Sequence, residues 1–456
     1  MEKIELKEKY INYFLNKNHV FLKPASLLPA DSTTLFTSAG IQQLVPFMIN
    51  GKEPDIGNRL VNYQKCLRLT DIDNIGDSYH HTFFEMLGNW SLNDYFKKEV
   101  IEMSLDFLVN ELKIDKDRLA VSVFEGNEVL PRDNEAAVIW KNLGIPEERI
   151  AFLGVDDNWW PSVNEKGPCG TDTEIFYWRS LDPVPKMFNP NDERWVEIWN
   201  NVFIQYNRDE NMNLIKLQKR YIDTGMGVER VTSILNGVVD NYESELFKPL
   251  IGIIEEKSNK KYQDNKINMR IIADHIRAIT MICSDDKHIF PTNKDRGYVL
   301  RRLIRRMLIS VKKIEVIDIN DLINSLVNEY IELIDKYYPY VKNEKSRIIE
   351  IILNENNKFN KILIDGTKKI TKAITIIKDN NLSYMDSKII FRLYETHGVP
   401  IDLTYSILDE NNILYNKKEV EYLIKEHKEK SRQLSEKKFG AGLTENIKSK
   451  KLIYEK

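Results

Sequence analysis

A change of texture near residue 240 does most to limit what this chain can fold into. Before it, aromatic residues are dense, prolines and glycines recur, and short β-branched or aromatic runs alternate with helical stretches. After it, apolar residues fall almost everywhere at helical spacing. Side chains alternate between faces along a strand but return about every 3.6 residues along a helix. The pattern therefore predicts an α+β domain over 1–240, built on an antiparallel sheet flanked by helices, then an all-α domain over 241–435. The closing segment 436–456 is charged, glycine-containing and weakly periodic, and it reads as a tail or linker.

Within the first region, the spacing predicts a helix over 3–17 from Leu6, Tyr10, Tyr13 and Phe14, and strands over 61–68, 82–92, 119–125, 172–179 and 194–207. Helical segments at 95–112 and 132–143 intervene without a regular βαβ rhythm, which argues against a dinucleotide-binding doubly wound sheet. In the second region, 242–258, 268–283, 295–313, 317–338 and 343–378 read as helices. Gly366 should interrupt or kink the last of them, at about 1 kcal/mol relative to alanine.

Composition narrows the function classes. Lys plus Arg number 66 against 69 Asp plus Glu, a net charge of −3, so any nucleic-acid site must be a local patch. Three scattered cysteines make no disulfide framework, and no Cys/His cluster suggests zinc; no metal site is expected in this portion. The N-terminus has no leader pattern, and no apolar run approaches the roughly 20 residues a bilayer needs, so a soluble, cytoplasmic protein without a membrane partner is expected. Neither G-x-x-x-x-G-K-[ST], G-x-S-x-G nor H-E-x-x-H is present.

Four constellations remain. Arg68 ends a strand facing the return strand His80-His-Thr-Phe-Phe-Glu-Met-Leu-Gly-Asn-Trp, a geometry suited to clamping a phosphate beside a stacked ring. His80 and His81 point to opposite faces of any strand and cannot chelate one metal. Asp223-Thr-Gly-Met-Gly-Val-Glu-Arg230 reads as a turn opening a helix. There Asp223 near the N-cap could take an ammonium and Arg230 a phosphate, although by itself the segment could equally be a capped helix with a surface arginine. Trp159-Trp-Pro precedes Gly167-Pro-Cys-Gly, where a tryptophan pair can be core as well as pocket, and Cys169 without a basic partner is not read as reactive. Finally, Arg301, Arg302, Arg305 and Arg306 fall at i, i+4 spacings on a helix. With no acid read as pairing them, they form either an RNA or phosphate contact or a solvated face.

Taken in order, these residues resemble the N-terminal catalytic portion of the alanyl-tRNA synthetases, a class II family. Leu35-Phe-Thr-Ser-Ala-Gly-Ile-Gln-Gln is similar to the first class II motif, the Arg68 and His80 strands to the second, and Asp223 to Arg230 to the third. Gly167-Pro-Cys-Gly, Glu174-Ile-Phe-Tyr, Ile198-Trp-Asn, Ala273-Asp-His-Ile-Arg, Arg296-Gly-Tyr-Val-Leu-Arg-Arg and Arg392-Leu-Tyr-Glu-Thr-His-Gly are further words of that family. The resemblance spans almost the whole chain.

It implies activation of L-alanine by ATP with Mg2+ to alanyl-adenylate, then transfer to the 3′ end of tRNA(Ala). ATP would meet Arg68, His81, Phe84, Glu85, Met86 and Arg230. Alanine would sit among Trp160, Asn200, Val202, Asp223 and Gly225. Asn293 and Asp402 would read the acceptor-stem G·U pair, with Arg301, Arg302 and Arg305 on nearby phosphates. Thr171 and Asp172 stand where the family often has Pro-Cys. The words of the family's editing and C-terminal domains are not met, so editing in cis is not expected, and a monomer is. Two competitors are an adenylating paralogue with a different acceptor and a non-catalytic RNA-binding module; the arginine helix speaks against the first, and intact Arg68, Asp223 and Arg230 against the second.

Overall fold

The computed structural model describes residues 3–29, 34–69, 72, 74–161 and 166–427. They divide into two compact units, one of 1–289 with 310–345 and one of 290–309 with 346–427. The boundary expected at 240 falls inside the first unit, and the tail expected at 436–456 lies outside the described residues.

The first unit is organised by nine strands: β1 (Val20–Phe21), β2 (Arg59–Leu67), β3 (Phe83–Leu92), β4 (Leu119–Phe124), β5 (Ile150–Leu153), β6 (Trp159–Trp160), β7 (Gly167–Trp178), β8 (Trp195–Arg208) and β9 (Leu214–Gly227). They form one sheet in the order β1-β2-β3-β9-β8-β7-β4-β5, with β6 paired to β7. From β2 to β4 every pairing is antiparallel, as the sequence predicts. The outermost pairs, β1 with β2 and β4 with β5, are parallel. Each joins strands separated in sequence by a helix, Val45–Asn50 in one case and Asn134–Asn142 in the other, and a crossover returns the chain in the same direction.

Periodicity does not disclose β1, β5, β6 or β9, of which β9, with 14 residues, is the longest. Its first half, through Arg220, carries Lys216, Lys219 and Arg220 and is mostly exposed, which hides the alternation. Asp223 therefore lies in a strand, not at a helix N-cap; the helix begins at Val228 with Gly227 as its cap. Pairing with β3 on one side and β8 on the other supplies the ladder bonds that local sequence does not advertise.

The two sheet faces divide the labour. One packs Tyr10, Phe14, Phe107, Trp199 and Met226 into an aromatic core with the helix Lys3–Leu15. The other carries Trp90, Val202, Ile204 and Tyr221, with Met86 and Trp160 partly buried against them, and leaves room for polar groups between. The helix Tyr262–Cys283 is tied to the sheet unit through Asp274, which accepts from the Thr82 backbone N–H at 2.9 Å.

In the second unit the helix Lys345–Asp379 runs through Gly366 without the expected interruption. A Cβ there would stand 2.6 Å from Val399 Cγ2, so the glycine serves close approach of a neighbouring segment. Among the described residues no helix is long and apolar enough to cross a membrane.

Candidate active site

Register assembles the site on the second face. Strand alternation puts Phe84 and Met86 of β3 on one side. The pairs Met86↔Gly227, Val202↔Asp223 and Asn200↔Gly225 then carry that side across β9 and β8. Arg68 follows the end of β2, and its exposed guanidinium lies 5.2 Å from the Phe84 ring centroid while Nε donates to the Ser38 carbonyl at 3.1 Å. Ser38 belongs to the first of the three motif-like words, so that segment holds the arginine beside the ring.

Asp223 is buried, and its Oδ1 accepts from Trp90 Nε1 at 2.7 Å. Burial pushes its carboxyl up to about 7, against the lowering pull of the Trp90 bond and of Arg68. Trp90 can lie flat there because a Cβ on Gly40 or Gly88 would stand 2.6 Å from its ring. Gly225, across from Asn200, leaves space that a Cβ would fill to within 2.9 Å of Met86 Sδ. A desolvated acid beside a glycine floor and the apolar walls Val202 and Trp160 suits a small ammonium-bearing ligand.

Arg230 lies in the first turn of the helix Val228–Leu235 and donates from Nη1 to the Glu197 carboxylate at 2.7 Å and to its carbonyl at 3.0 Å. Next to it, β7 and β8 bring a cluster of acids together. Asp172 is buried, accepts from Asn158 Nδ2 at 2.8 Å, and is pushed up to about 7 by burial and partly by Glu197 and Asp157. Glu174 is also held well above the usual carboxylate range, by burial and by Glu197 and Asp172. Among the described residues no group of three or more His, Cys, Asp or Glu is arranged to hold a metal.

Two expected ATP contacts are placed differently. Glu85 lies between Phe84 and Met86, so its carboxylate faces the opposite side of the sheet. It is buried there, paired with the buried Lys7 and bonded by the Tyr338 hydroxyl at 2.6 Å, and its own N–H donates to Glu229 Oε2 at 3.0 Å. Glu229 is in turn paired with the buried Arg277. The His81 imidazole is stacked on Phe247 at 4.9 Å, its Nε2 meets Asn241 Nδ2 at 2.9 Å, and its Nδ1 faces Asp274 at 3.7 Å. Burial lowers its pKa, so a neutral, structurally held ring results. His80 instead pairs with Asp77 at 2.5 Å. Burial raises the Cys169 thiol to about 11, so it is not a thiolate nucleophile.

In the second unit, Asn293 is exposed and its side-chain carbonyl accepts from Arg301, which also donates to the Pro291 carbonyl at 3.0 Å. The arginine face is not free of acids, as the sequence suggested. The buried Glu355 accepts from Arg305 Nε at 2.8 Å and lies 3.4 Å from Arg301 Nε, while Arg305 also covers Phe359. Arg302 and Arg306 are half-buried. Asp402 lies in the helix Ile401–Glu410, and its side chain is outside the described residues.

The sequence assigns no role to Glu197, Arg179 or Glu355, and it brings in Trp90 and Asp172 only within motif-like words. Trp90 and Glu197 each stand beside residues singled out for the site, and their even or odd offset along the strand was the available signal. Glu355 stands fifty residues from its partner and had none.

A one-sheet site of this kind belongs to a known class. The family model described as tRNA synthetases class II (A) matches residues 5–455, so the chain belongs to the class II tRNA synthetases. Within that class it is similar to the alanine–tRNA ligase of Borreliella afzelii (strain PKo), 40% identical over 97% of this chain and 75% of the relative. It is similar also to that of Treponema denticola, 42% identical over 97% of this chain and 74% of the relative. The alanine–tRNA ligase of Fusobacterium nucleatum is 36% identical over 95% of this chain, which spans 50% of that protein. The chain is thus a member of the alanine–tRNA ligase family, an ATP-dependent aminoacyl-tRNA synthetase of the kind that uses ATP with Mg2+, an amino acid and tRNA.

Proposed function

We propose that the described sheet face activates L-alanine and that the second unit recognises the acceptor stem of tRNA(Ala) at its G·U pair. The observation that carries the activation step is the gathering of Phe84, Asp223, Gly225, Asn200 and Val202 on one face by register, with Arg68 at its edge. In this reading the adenine lies on Phe84 and meets the Met86 backbone, while Arg68 spans the α-phosphate and the alanine carboxylate. Asp223 takes the ammonium, Trp160 and Val202 flank the methyl, and Asn200 supplies a polar contact.

Alanine's carboxylate is already a nucleophile at neutral pH, so no general base is required. One carboxylate oxygen attacks the α-phosphorus, the bond to the bridging oxygen of the β-phosphate breaks, and pyrophosphate leaves. The chain's task is alignment and charge neutralisation, by Arg68 at the reacting phosphorus and Arg230 at the γ-phosphate. The tRNA 3′-terminal hydroxyl then attacks the acyl carbon, AMP departs, and its phosphate is a sufficient acceptor for the released proton. Mg2+ would arrive with ATP and screen its phosphates.

For recognition, Asn293 and Asp402 carry base identity and Arg301, Arg302 and Arg305 carry phosphate affinity. Support comes from the Arg301–Asn293 bond, which couples a phosphate-type residue to a base-type residue.

The test is charging of two acceptor-stem RNAs that differ only in a G·U or G·C pair, alongside ATP–pyrophosphate exchange with alanine. Charging of the G·U stem alone is expected. Exchange without charging of either stem would overturn the tRNA part and favour a different acceptor.

A further inference from the structure

Arg179 follows the end of β7 and is buried, yet no carboxylate pairs with it among the described residues. Its backbone N–H is tied to the Arg194 carbonyl at 2.8 Å, and Nη1 donates to Asn241 Oδ1 at 2.8 Å. The guanidinium carbon stands 5.9 Å from the Tyr79 ring centroid. Asn241 in turn holds His81 at 2.9 Å, and its backbone N–H donates to the Ser78 carbonyl at 3.0 Å. Three segments, the loop 77–81, the turn Asn241–Glu243 and the end of β7, therefore fix this guanidinium in place.

A buried guanidinium held by a neutral amide is costly unless an anion meets it, because hydrogen bonding to one amide replaces little of the lost hydration. Burial first and then the positive charge of Arg230 pull the Arg179 pKa down to about 10, against the opposing pull of Asp240, Tyr79 and Asp77, and both arginines act on Tyr79. Arg230 has a carboxylate partner in Glu197, whereas Arg179 pairs with none among the described residues. A phosphate-bearing anion has the chemistry to pair with that guanidinium.

We propose that Arg179 is a second polyphosphate-binding residue, contacting the β- and γ-phosphates of ATP and the pyrophosphate they become. The proposal rests on the reading of Arg230 as the γ-phosphate contact. It assigns the site two cations at the leaving-group end, where negative charge accumulates as the α–β bridging bond breaks. Asn241 then acts as a positioning residue, since it holds the guanidinium from one side and leaves the remaining donors for phosphate.

The experiment uses the full chain and measures ATP–pyrophosphate exchange for Arg179→Gln, Arg179→Lys and Arg230→Ala, with separate KM values for pyrophosphate, ATP and alanine. Glutamine can keep the bond to Asn241 while losing the charge. Arg179→Gln is expected to raise KM for pyrophosphate and ATP about tenfold or more, as loss of a charged hydrogen bond does. KM for alanine and the affinity for AMP, which lacks those phosphates, should stay within about twofold, and Arg179→Lys should recover part of the loss. Unchanged pyrophosphate and ATP KM values in Arg179→Gln would overturn the proposal, as would a parallel rise for AMP and alanine, the mark of a structural role. If Arg230→Ala also left pyrophosphate unaffected, the underlying assignment of the phosphate end would fall; if only Arg230→Ala had an effect, Arg179 alone would be misassigned.

Discussion

Asp223 offers the sharpest test of the alanine pocket, because one carboxyl must be both buried and ionised. Its ordinary value of 3.8 is pushed up to about 7 by burial. The move from 3.8 to about 7 corresponds to roughly 4 kcal/mol between the folded and unfolded chains. The folded-state pKa is raised, so the folded chain holds the proton more tightly. The stabilising contribution is complete below about pH 4 and is lost as pH rises from there through about 7.

Binding runs the other way, since only the carboxylate pairs with an ammonium. At pH 6 about one-tenth of the groups are ionised, so KM for alanine should be about tenfold higher than at pH 8. The assay is ATP–pyrophosphate exchange at saturating ATP between pH 6 and 8.5. Asp223→Asn should raise KM for alanine by about tenfold to a hundredfold, yet leave the unliganded chain at least as stable at pH 8, because an uncompensated buried charge is gone. Burial also pushes Asp172 up to about 7, so the same profile must persist in Asp172→Asn. An alanine KM that is flat from pH 6 to 8 would refute the ammonium assignment, and so would an unaltered KM in Asp223→Asn.

Gly225→Ala places a Cβ 2.9 Å from Met86 Sδ, and it is expected to lower kcat/KM for alanine by at least about tenfold with ATP KM changed far less, measured by exchange. A pocket that accepts one methyl rejects glycine by only about 10–200-fold, so exchange with glycine should be detectable within that range of alanine. Glu355→Gln removes the charge that gathers Arg301 and Arg305; KM for the acceptor stem should rise several-fold, about 1 kcal/mol in effect, while exchange without RNA stays unchanged. Arg277→Met strands the buried Glu229 carboxylate and should cost about 3–5 kcal/mol in denaturant unfolding, with Arg277→Lys in between.

Local sequence determined the two textures, most helices and the strands β2, β3, β4, β7 and β8, because hydrophobic periodicity is written by the face each segment must bury. It also picked out Arg68, Phe84, Asp223 and Gly225, and the period of two already sets Glu85 opposite Phe84 and Met86. Tertiary structure decided the rest. β9 is a strand because β3 and β8 complete its ladder on both sides, a bond count no local pattern records. Glu355 reaches Arg301 and Arg305 across fifty residues or more. Arg179 differs from any surface arginine only in being buried beside Arg230 with a neutral amide for a partner. Charge and hydrogen-bond pairing depend on distances in space, and those distances exist only once the chain has folded.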